Sequence, residues 1–360
     1  MIFHRAVRRE FTQTAIGVFV ALFAILLTTQ LIRLLNEAAV GSVASEAVAA
    51  LLGFSALNYL PVLLSLTLFM SILLTLSRSY RDSEMVVWFS SGLPLTAWVR
   101  PVLAFALPVV AAIALLSLLL SPWALSKSAE FRQKVTDRSD SSQVAPGAFK
   151  EATTADRVVF VEALSDDASQ VRNVFVSSMQ DGHLGVMMAA GGHQEHAPNG
   201  DRFMVLENGR RYEVTPGSPE FRIVDFARYA LRVETKESQG IEKTPKNTST
   251  RELLRHRGNP ANMAELLWRI GVPISALVLA LLAIPMSFVN PRAGRSSNLI
   301  MALLIYAIYS NLLSVSQAWV DQGKMSFDAA WWPIHLLMLA LLPLLFFRRI
   351  ALHSLFSFRR

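Results

Sequence analysis

The side chains best suited to metal or acid–base chemistry stand together at His193-Gln194-Glu195-His196. Zinc proteases arrange their ligands as His-Glu-x-x-His or His-x-x-Glu-His on a helix, and the spacing here matches neither motif. Gly191, Gly192 and Gly200 lie close by, which predicts a solvated loop rather than a helix. We therefore expect no metal site in this segment.

Motifs for other reactions are absent from the sequence. No Gly-x-x-x-x-Gly-Lys-[Ser/Thr] segment occurs, so the chain cannot hydrolyse ATP by itself as P-loop proteins do. No Gly-x-Ser-x-Gly elbow occurs either. The long apolar segments hold one histidine, His335, and no acidic pair, which argues against an enzyme that modifies lipids within the membrane. We expect a chain that is not an enzyme and that binds no cofactor itself.

Six long apolar segments dominate the sequence and predict six transmembrane helices. Each is close to the roughly 20 residues that cross about 30 Å of hydrocarbon. Three precede and three follow a long polar segment, so the predicted fold is a polytopic α-helical membrane protein, three helices plus three, with an inserted water-facing domain. The predicted spans are residues 11–35, 49–76, 99–120, 266–289, 299–320 and 329–347.

Basic residues at the ends of the spans predict the topology. Arg5, Arg8 and Arg9 precede the first span, and Arg348 and Arg349 follow the last. Because Lys and Arg concentrate in cytoplasmic loops, both termini are predicted to be cytoplasmic and the polar segment to lie outside. Charges within the polar segment balance, so the net charge of +7 comes from the rest of the chain and indicates no nucleic-acid partner.

The outer segment has the pattern of short β-strands. Residues 157–162 and 171–178 are rich in β-branched residues. Residues 203–206 and 211–214 flank Asn208-Gly209, a strong signal for a hairpin turn. Many short strands at regular spacing predict an all-β sandwich or jelly roll.

A short helical run lies between the second and third spans. Asp82 or Ser83 can cap it, Glu84 suits its N-terminus, and Gly92 and Pro94 end it. Two interpretations remain open, an interfacial helix that lies on lipid or a coupling helix that inserts into a cytoplasmic partner. The apolar residues on one face of the run are Met85, Trp88 and Phe89.

Several short motifs occur in order along the whole chain. The most specific is residues 284–295, although the role of its loop 290–295 is left open. Together these motifs resemble those of the LptF/LptG permeases, the membrane subunits of the bacterial lipopolysaccharide export ABC transporter. The motif at 284–295 is most like the LptF branch. The other motifs are 81–85 with 91–93, 208–213 with 221–223 and Phe226, and 265–269.

The resemblance implies a subunit of a larger assembly in the Gram-negative inner membrane. A homologous permease, LptG, would pair with this chain, and an LptB dimer would bind ATP and Mg below it. LptC and LptA would form the periplasmic bridge that receives lipopolysaccharide. The implied organisation is a membrane segment 1–120 with a coupling helix at about 80–91, a periplasmic β-jelly roll in 121–264, and a membrane segment 265–360 with a cytoplasmic tail.

The resemblance also implies roles for individual residues. Glu84 would meet the ATPase, and the first and fifth spans would form a lateral gate. Lipid phosphates favour basic side chains near the outer leaflet, although such side chains also extend to ordinary headgroups. The coupling candidates are Glu84, Asp82, Ser83, Met85, Trp88 and Phe89; the lipid-binding candidates are Arg33, Lys324, Phe160, Phe175 and Phe203; the gate candidates are Leu31, Tyr306, Tyr309 and Gln317.

A groove in the jelly roll would need apolar residues on its inner face, and a closed core is the alternative for each of them. The expected inner positions are Val159, Val161, Phe175, Phe203 and Val205. The main alternative function is an ABC-type permease that relays ATP-driven motion to the periplasm without transporting a substrate. Such a permease would share the coupling helix and outer domain but would not need an apolar groove.

Overall fold

A computed structural model describes residues 2–40, 43, 45–142, 149–152, 157–164, 170–180, 183–196, 202–214, 221–234, 243–288 and 297–357. The chain divides into two compact units, Met1–Phe131 with Lys243–Arg360, and Arg132–Glu242. Both boundaries lie inside the predicted outer segment 121–264. The third span continues as a helix beyond residue 120, and the returning connector packs against the spans, so both belong to the helical unit.

Six helical stretches within the described residues are long and apolar enough to cross a membrane, as the hydropathy pattern predicts. The third combines α4, a π-helical turn at Leu116–Leu120 and α5. The helices are α1 Ile2–Ala39, α2 Val48–Arg81, α3 Glu84–Ser90, α4 Val99–Leu115, α5 Ser121–Ser142, α6 Thr250–Arg255, α7 Pro260–Met286, α8 Ser297–Asp321 and α9 Phe327–Ser357.

The centre of the helical unit is formed by α2 and α7. Most of their apolar segments are buried, whereas α1, α8 and α9 expose most of theirs. Gly271 lets α7 approach α8 closely, because a Cβ atom there would lie 2.6 Å from a Leu313 methyl group. The exposed apolar faces of the outer helices suit contact with lipid or with another membrane subunit.

The second unit is built on a six-stranded antiparallel sheet whose described strands pair in sequence order. This order is a meander. The all-β prediction is confirmed, whereas the jelly roll stays a prediction because its overlapping connections are not among the described pairings. The strands are β1 Phe149–Ala152, β2 Arg157–Leu164, β3 Gln170–Gln180, β4 His183–His196, β5 Arg202–Val214 and β6 Phe221–Glu234.

Two local predictions in this unit are wrong. Asn208-Gly209 does not reverse the chain, because β5 continues on both sides of it while Asn208 adopts a φ of 52°. A positive φ at Asn is compatible with an irregularity inside a strand as well as with a turn. The His193 segment is the end of β4 rather than a loop, and His193 Nδ1 lies 3.2 Å from a carboxylate oxygen of Glu207 on β5.

Candidate coupling helix and lipid-binding groove

The predicted coupling helix is α3, and it is shorter than the expected 80–91. Tyr80 and Arg81 are still part of α2, so α3 begins only at Glu84. Ser83 occupies the N-cap position with a φ of 59°, and its side chain makes no capping hydrogen bond. The capping prediction is therefore wrong for Ser83, because a capping side chain requires the extended backbone of an ordinary N-cap, which Ser83 lacks.

The end of α3 is set by Gly92, as predicted. Gly92 has a φ of 85°, which glycine adopts without steric strain. Its N–H donates to the Phe89 carbonyl at 3.0 Å, and the Leu93 N–H donates to the Trp88 carbonyl at 3.2 Å. This pair of bonds is a Schellman motif, which satisfies the last carbonyls of the helix and turns the chain toward the third span.

The apolar face of α3 packs against the helical unit to which it belongs. Met85 is only 1% exposed, and Trp88 and Phe89 pack against the same buried core. The expectation that this face enters a partner is therefore corrected for Met85. The burial follows from the short helix, which is stabilised by contact of its i, i+3 and i+4 side chains with α2 and its neighbours. Val86 and Val87, at 64% and 66% exposure, form the outward surface.

Aromatic contacts connect α3 to α2, to the segment that follows α7, and to α9. The Phe89 and Tyr80 ring centroids are 6.3 Å apart, and Tyr80 meets Phe288 edge to face at 5.4 Å. The Arg349 guanidinium of α9 lies 4.2 Å from the Phe288 ring centroid, and its Nε donates to the Pro285 carbonyl at 3.3 Å. Through these side-chain contacts, a displacement of α3 would act on α2, on the end of α7 and on α9.

The acidic residues beside α3 surround Arg78 of α2. Arg78 lies 3.1 Å from a carboxylate oxygen of Glu10 on α1 and 3.9 Å from oxygens of both Asp82 and Glu84. All four side chains are between one-third and three-fifths exposed. Water screens such pairs, so Glu84 remains accessible for a contact with another subunit.

One face of the sheet carries a groove of about 570 Å³. Phe160 pairs directly with Phe175, Phe175 with Met188, Met188 with Arg210, and Arg210 with Asp225. Directly paired residues share a face, so these five side chains form one row across β2 to β6. The row changes from apolar to charged along its length. This arrangement suits a ligand that has both apolar chains and polar groups.

The backbone pairing next to this row is interrupted. Within the described strands, the pairing skips one aligned position on each of β2 to β6. Two members of this interrupted row, Asn173 and Asn208, have positive φ values of 48° and 52°. Both asparagines line the groove, so the irregularity lies at the groove itself. The interrupted row consists of Glu162, Asn173, Ala190, Asn208 and Ala227.

Gly209 allows close packing beside the interrupted row. A Cβ atom on Gly209 would lie 2.4 Å from the Phe226 ring and 2.5 Å from the Met188 carbonyl oxygen. Both distances are well below van der Waals contact, so only glycine fits without a shift of the backbone of β4 or the ring of β6.

The opposite face of the sheet is a closed apolar cluster around Val174, Val176, Met187, Ala189 and Leu206. Because Val174 and Val176 flank Phe175 and are both 3% exposed, Phe175 points to the groove face. The expectation that Phe175 shares an inner face with Val159 and Val161 is therefore wrong.

The other expected inner positions have different outcomes. Val159 and Val161 pair with Val176 and Val174, although their own side chains lie outside the described ones. Val205 is 1% exposed, which corresponds to a closed core. Phe203 is half-buried between Glu195 and Arg232 and is not among the residues that line the groove.

Charged groups at the groove are paired with each other. The Arg210 Nε donates to Asp225 Oδ1 at 2.5 Å, and this hydrogen bond raises the pKa of Arg210, which stays cationic at any physiological pH. The described residues contain no group of three or more side chains that could hold a metal ion. The groove itself combines apolar and charged side chains, so it can bind a ligand by apolar burial and by charge.

Comparison with known protein families matches nearly the full length of the chain. The family model for the lipopolysaccharide export system permease LptF/LptG matches residues 5–349. The chain belongs to this family. The lipopolysaccharide export system permease protein LptF of Escherichia coli strain K12 is 27% identical over 346 residues, which cover 95% of this chain and 93% of the relative. The LptF of Shigella flexneri has the same identity and coverage.

The LptF/LptG resemblance assigned four residues to a lateral gate. In the structure these four residues differ in exposure and in contacts. Leu31 of α1 is 38% exposed, and Gln317 of α8 is half-buried. Tyr306 donates from its hydroxyl to the Val62 carbonyl at 3.3 Å. Tyr309 is fully buried and lies 2.6 Å from His335 Nδ1 on α9. Tyr309 thus contacts its own chain and does not reach an exposed face.

The two basic lipid-binding candidates of the LptF/LptG resemblance are both accessible. Arg33 lies 3.2 Å from Glu37 one helical turn along α1, and its side chain is 65% exposed. Lys324 is exposed in the turn after α8. The other lipid-binding candidates Phe160 and Phe175 belong to the second compact unit. Their roles in lipid binding stay predictions.

One residue of the family motif 265–269 was not assigned a role from the sequence. Arg269 stands four positions after Glu265 in an otherwise apolar span, and this spacing signals an ion pair on one helix face. The sequence carries no sign of its other partners, which come from distant segments.

Proposed function

We propose that this chain is the permease subunit that extracts lipopolysaccharide from the inner membrane and passes it to a periplasmic bridge toward the outer membrane. ATP hydrolysis in a partner subunit drives the process. The observation that carries the proposal beyond family membership is the groove, whose row runs from Phe160, Phe175 and Met188 to Arg210 and Asp225.

The groove meets a physical requirement of lipid export. Each CH₂ group exposed to water costs about 0.8 kcal/mol, so a lipid with several acyl chains cannot leave the membrane bare. An exporter therefore has to provide apolar surface along the path. A permease that only relays motion has no need for an open groove with aromatic side chains on one face and a closed core on the other.

The proposed assembly contains LptG as the second permease, an LptB dimer that binds ATP and Mg, and LptC and LptA as the bridge. The outer unit would be a jelly roll in the periplasm, and both termini would be cytoplasmic. In this assembly Glu84, Asp82 and the outward Val86 and Val87 of α3 would face the ATPase. Ser83, Trp88 and Phe89 would hold α3 in place from its inner side and its ends.

The exposed apolar faces of α1 and α8 support a gate between the two permeases. On α8 the exposed residues include Leu303, Leu304 and Ile308, while Tyr309 lies inside. We propose that Leu31 and Gln317 line this gate, and that Tyr306 supports α8 from behind through its bond to α2. Arg33 and Lys324 would meet lipid phosphates near the outer end of the gate.

Site-specific photocrosslinking in the complete complex tests the proposal. The chain is purified with LptG and LptB, reconstituted with lipopolysaccharide, and labelled with a benzophenone amino acid at one position at a time. Phe160, Phe175 and Met188 probe the groove, Met204 probes the closed cluster on the opposite face, and Phe221, which is 70% exposed, is the matched aromatic control.

We expect ATP-dependent lipopolysaccharide adducts at the three groove positions and none at Phe221. Adducts at Met204 alone would keep the export function and move the lipid path to the other face. Normal ATP hydrolysis without adducts at any of these positions would contradict lipid export through this subunit and favour a relay of motion.

A further inference from the structure

Arg269 is a buried cation within the fourth span. Its side chain is 2% exposed, and it lies about 14 Å along α7 from the first residue of that helix. A charged group at such a place is strongly unfavourable unless it is paired and fully hydrogen-bonded.

Each nitrogen of the guanidinium has an acceptor. The Nε donates to Glu265 Oε1 at 2.9 Å, and Nη1 donates to Thr250 Oγ1 at 2.8 Å. Nη2 donates to the carbonyl oxygens of Pro245 and Lys246, both at 3.1 Å. Three of these four acceptors belong to the connector 243–259, which follows directly after the β unit ends at Glu242. We call Arg269 and these four acceptor residues the Arg269 cluster.

The same position is attached to the third span. Ser117 Oγ donates to the Arg269 carbonyl oxygen at 3.0 Å, and Thr250 Oγ1 donates to the Leu118 carbonyl oxygen at 2.5 Å. Both Ser117 and Leu118 lie in the π-helical turn Leu116–Leu120. A π-helical turn shifts the helical hydrogen-bond register by one residue, so a carbonyl becomes available to an outside donor. Thr250 thus joins the third span, the connector and Arg269 of the fourth span.

The connector itself is ordered by local bonds that place these acceptors. Ser249 caps α6 by accepting from the Glu252 N–H at 3.3 Å, and a short 3₁₀ turn at Pro245–Asn247 presents the two carbonyls to Arg269. Asn259 caps α7 by accepting from the Ala261 N–H at 2.9 Å. The connector is therefore a folded element docked on the helices, and its first turn depends on Arg269.

We infer that Arg269 is a positioning residue that couples the third and fourth spans to the connector, so that displacement of these helices during transport reaches the segment entering the β unit. The inference rests on the proposed export function. Lysine cannot replace arginine fully, because one ammonium group cannot direct separate N–H groups to a carboxylate, a hydroxyl and two carbonyls at once.

The test measures how much lipopolysaccharide is delivered for each ATP hydrolysed by the full complex in proteoliposomes, with purified LptA as the acceptor. A residue needed only for stability changes both rates in proportion and leaves this ratio constant. For R269M we expect the ratio to fall about tenfold while ATP hydrolysis stays near wild type. R269K should give an intermediate ratio. R255M, an exposed arginine of the same connector, is the matched control and should keep the wild-type ratio.

A second variant applies where R269M fails to assemble. T250V removes the hydroxyl between Arg269 and Leu118 but leaves three acceptors for the guanidinium. We expect a lower delivery ratio and faster amide hydrogen exchange in residues 243–256. A wild-type ratio in R269M or T250V, or a proportional loss of both rates, would overturn the inference. Failure of the wild-type complex to deliver any lipopolysaccharide would instead contradict the proposed function.

Discussion

Two arginines of the helical unit, Arg269 and Arg78, each contact several acceptors and yet contribute differently to the structure. Arg269 is 2% exposed, and its partners hold a connector against two spans. Arg78 is 46% exposed beside α3, and two of its three carboxylate contacts are as long as 3.9 Å. The number of contacts is similar, but burial differs. A buried cluster holds one arrangement, whereas an exposed one can exchange partners at little cost.

The largest expected effect is the loss of the acid that pairs with Arg269. E265L leaves a buried charge without its carboxylate, and removal of one partner of such a pair costs about 3–5 kcal/mol. Thermal unfolding of the detergent-solubilised complex measures the loss. The double variant E265L/R269M should recover most of the stability and still show a low delivery ratio. Wild-type stability of E265L would show that Arg269 does not need the Glu265 carboxylate to remain buried.

The two faces of α3 provide the next contrast. M85A removes a fully buried side chain and should cost about 2–5 kcal/mol, because it leaves a cavity between α3 and the bundle. V87S changes an exposed side chain and should alter stability by less than about 0.5 kcal/mol. If Val87 faces the ATPase, V87S should lower the ATP hydrolysis rate of the assembled complex. The reverse pattern, a stable M85A and an unfolded V87S, would contradict the assignment of the faces.

A smaller effect is expected for overpacking at the sheet groove. G209A places a methyl group 2.4 Å from the Phe226 ring and 2.5 Å from the Met188 carbonyl oxygen. We expect a loss of about 1–3 kcal/mol in thermal unfolding. Adding F226L should restore only part of it, since the backbone contact remains. Complete recovery in the double variant would show that the ring alone requires glycine.

The smallest effect is expected at Arg78. R78M removes three exposed ion pairs and should cost about 0.2–1 kcal/mol at low salt. At 1 M salt, where the screening length is about 3 Å, the difference from wild type should vanish. Unfolding curves at the two salt concentrations measure it. A loss of stability that persists at high salt would show that the Arg78 ion pairs are shielded from solvent, like those of Arg269.

The sequence predicts where the helices and strands of this protein lie better than it predicts what each of their faces packs against. Length and composition are enough to locate the six spans, because hydrocarbon thickness fixes the length of a helix that crosses it. Gly92 is enough to locate the end of α3. By contrast, Met85, Trp88 and Phe89 are correctly placed on one face, but whether that face meets a partner or its own bundle depends on tertiary packing.

Errors occurred where one local signal has two structural uses. Asn-Gly predicts a hairpin, and the same positive φ at Asn208 serves here to interrupt a continuous strand. The groove face of Phe175 could not be assigned from a period of two, because alternation within each strand does not fix which residues of β2 and β3 lie opposite each other. Arg269 was missed because its acceptors at 245, 246 and 250 are close only in the folded chain.

The interrupted row in the sheet has a mechanical consequence. Cross-strand hydrogen bonds give a sheet its resistance to bending, and here the regular pairing skips the same line on β2 to β6. We therefore expect the sheet to bend more easily along that line than elsewhere, while the pairs on either side stay intact. Since Asn173 and Asn208 of this line border the groove, a small flexing changes its width. In the proposed exporter, such a change in width would let one fold hold lipid molecules of different sizes.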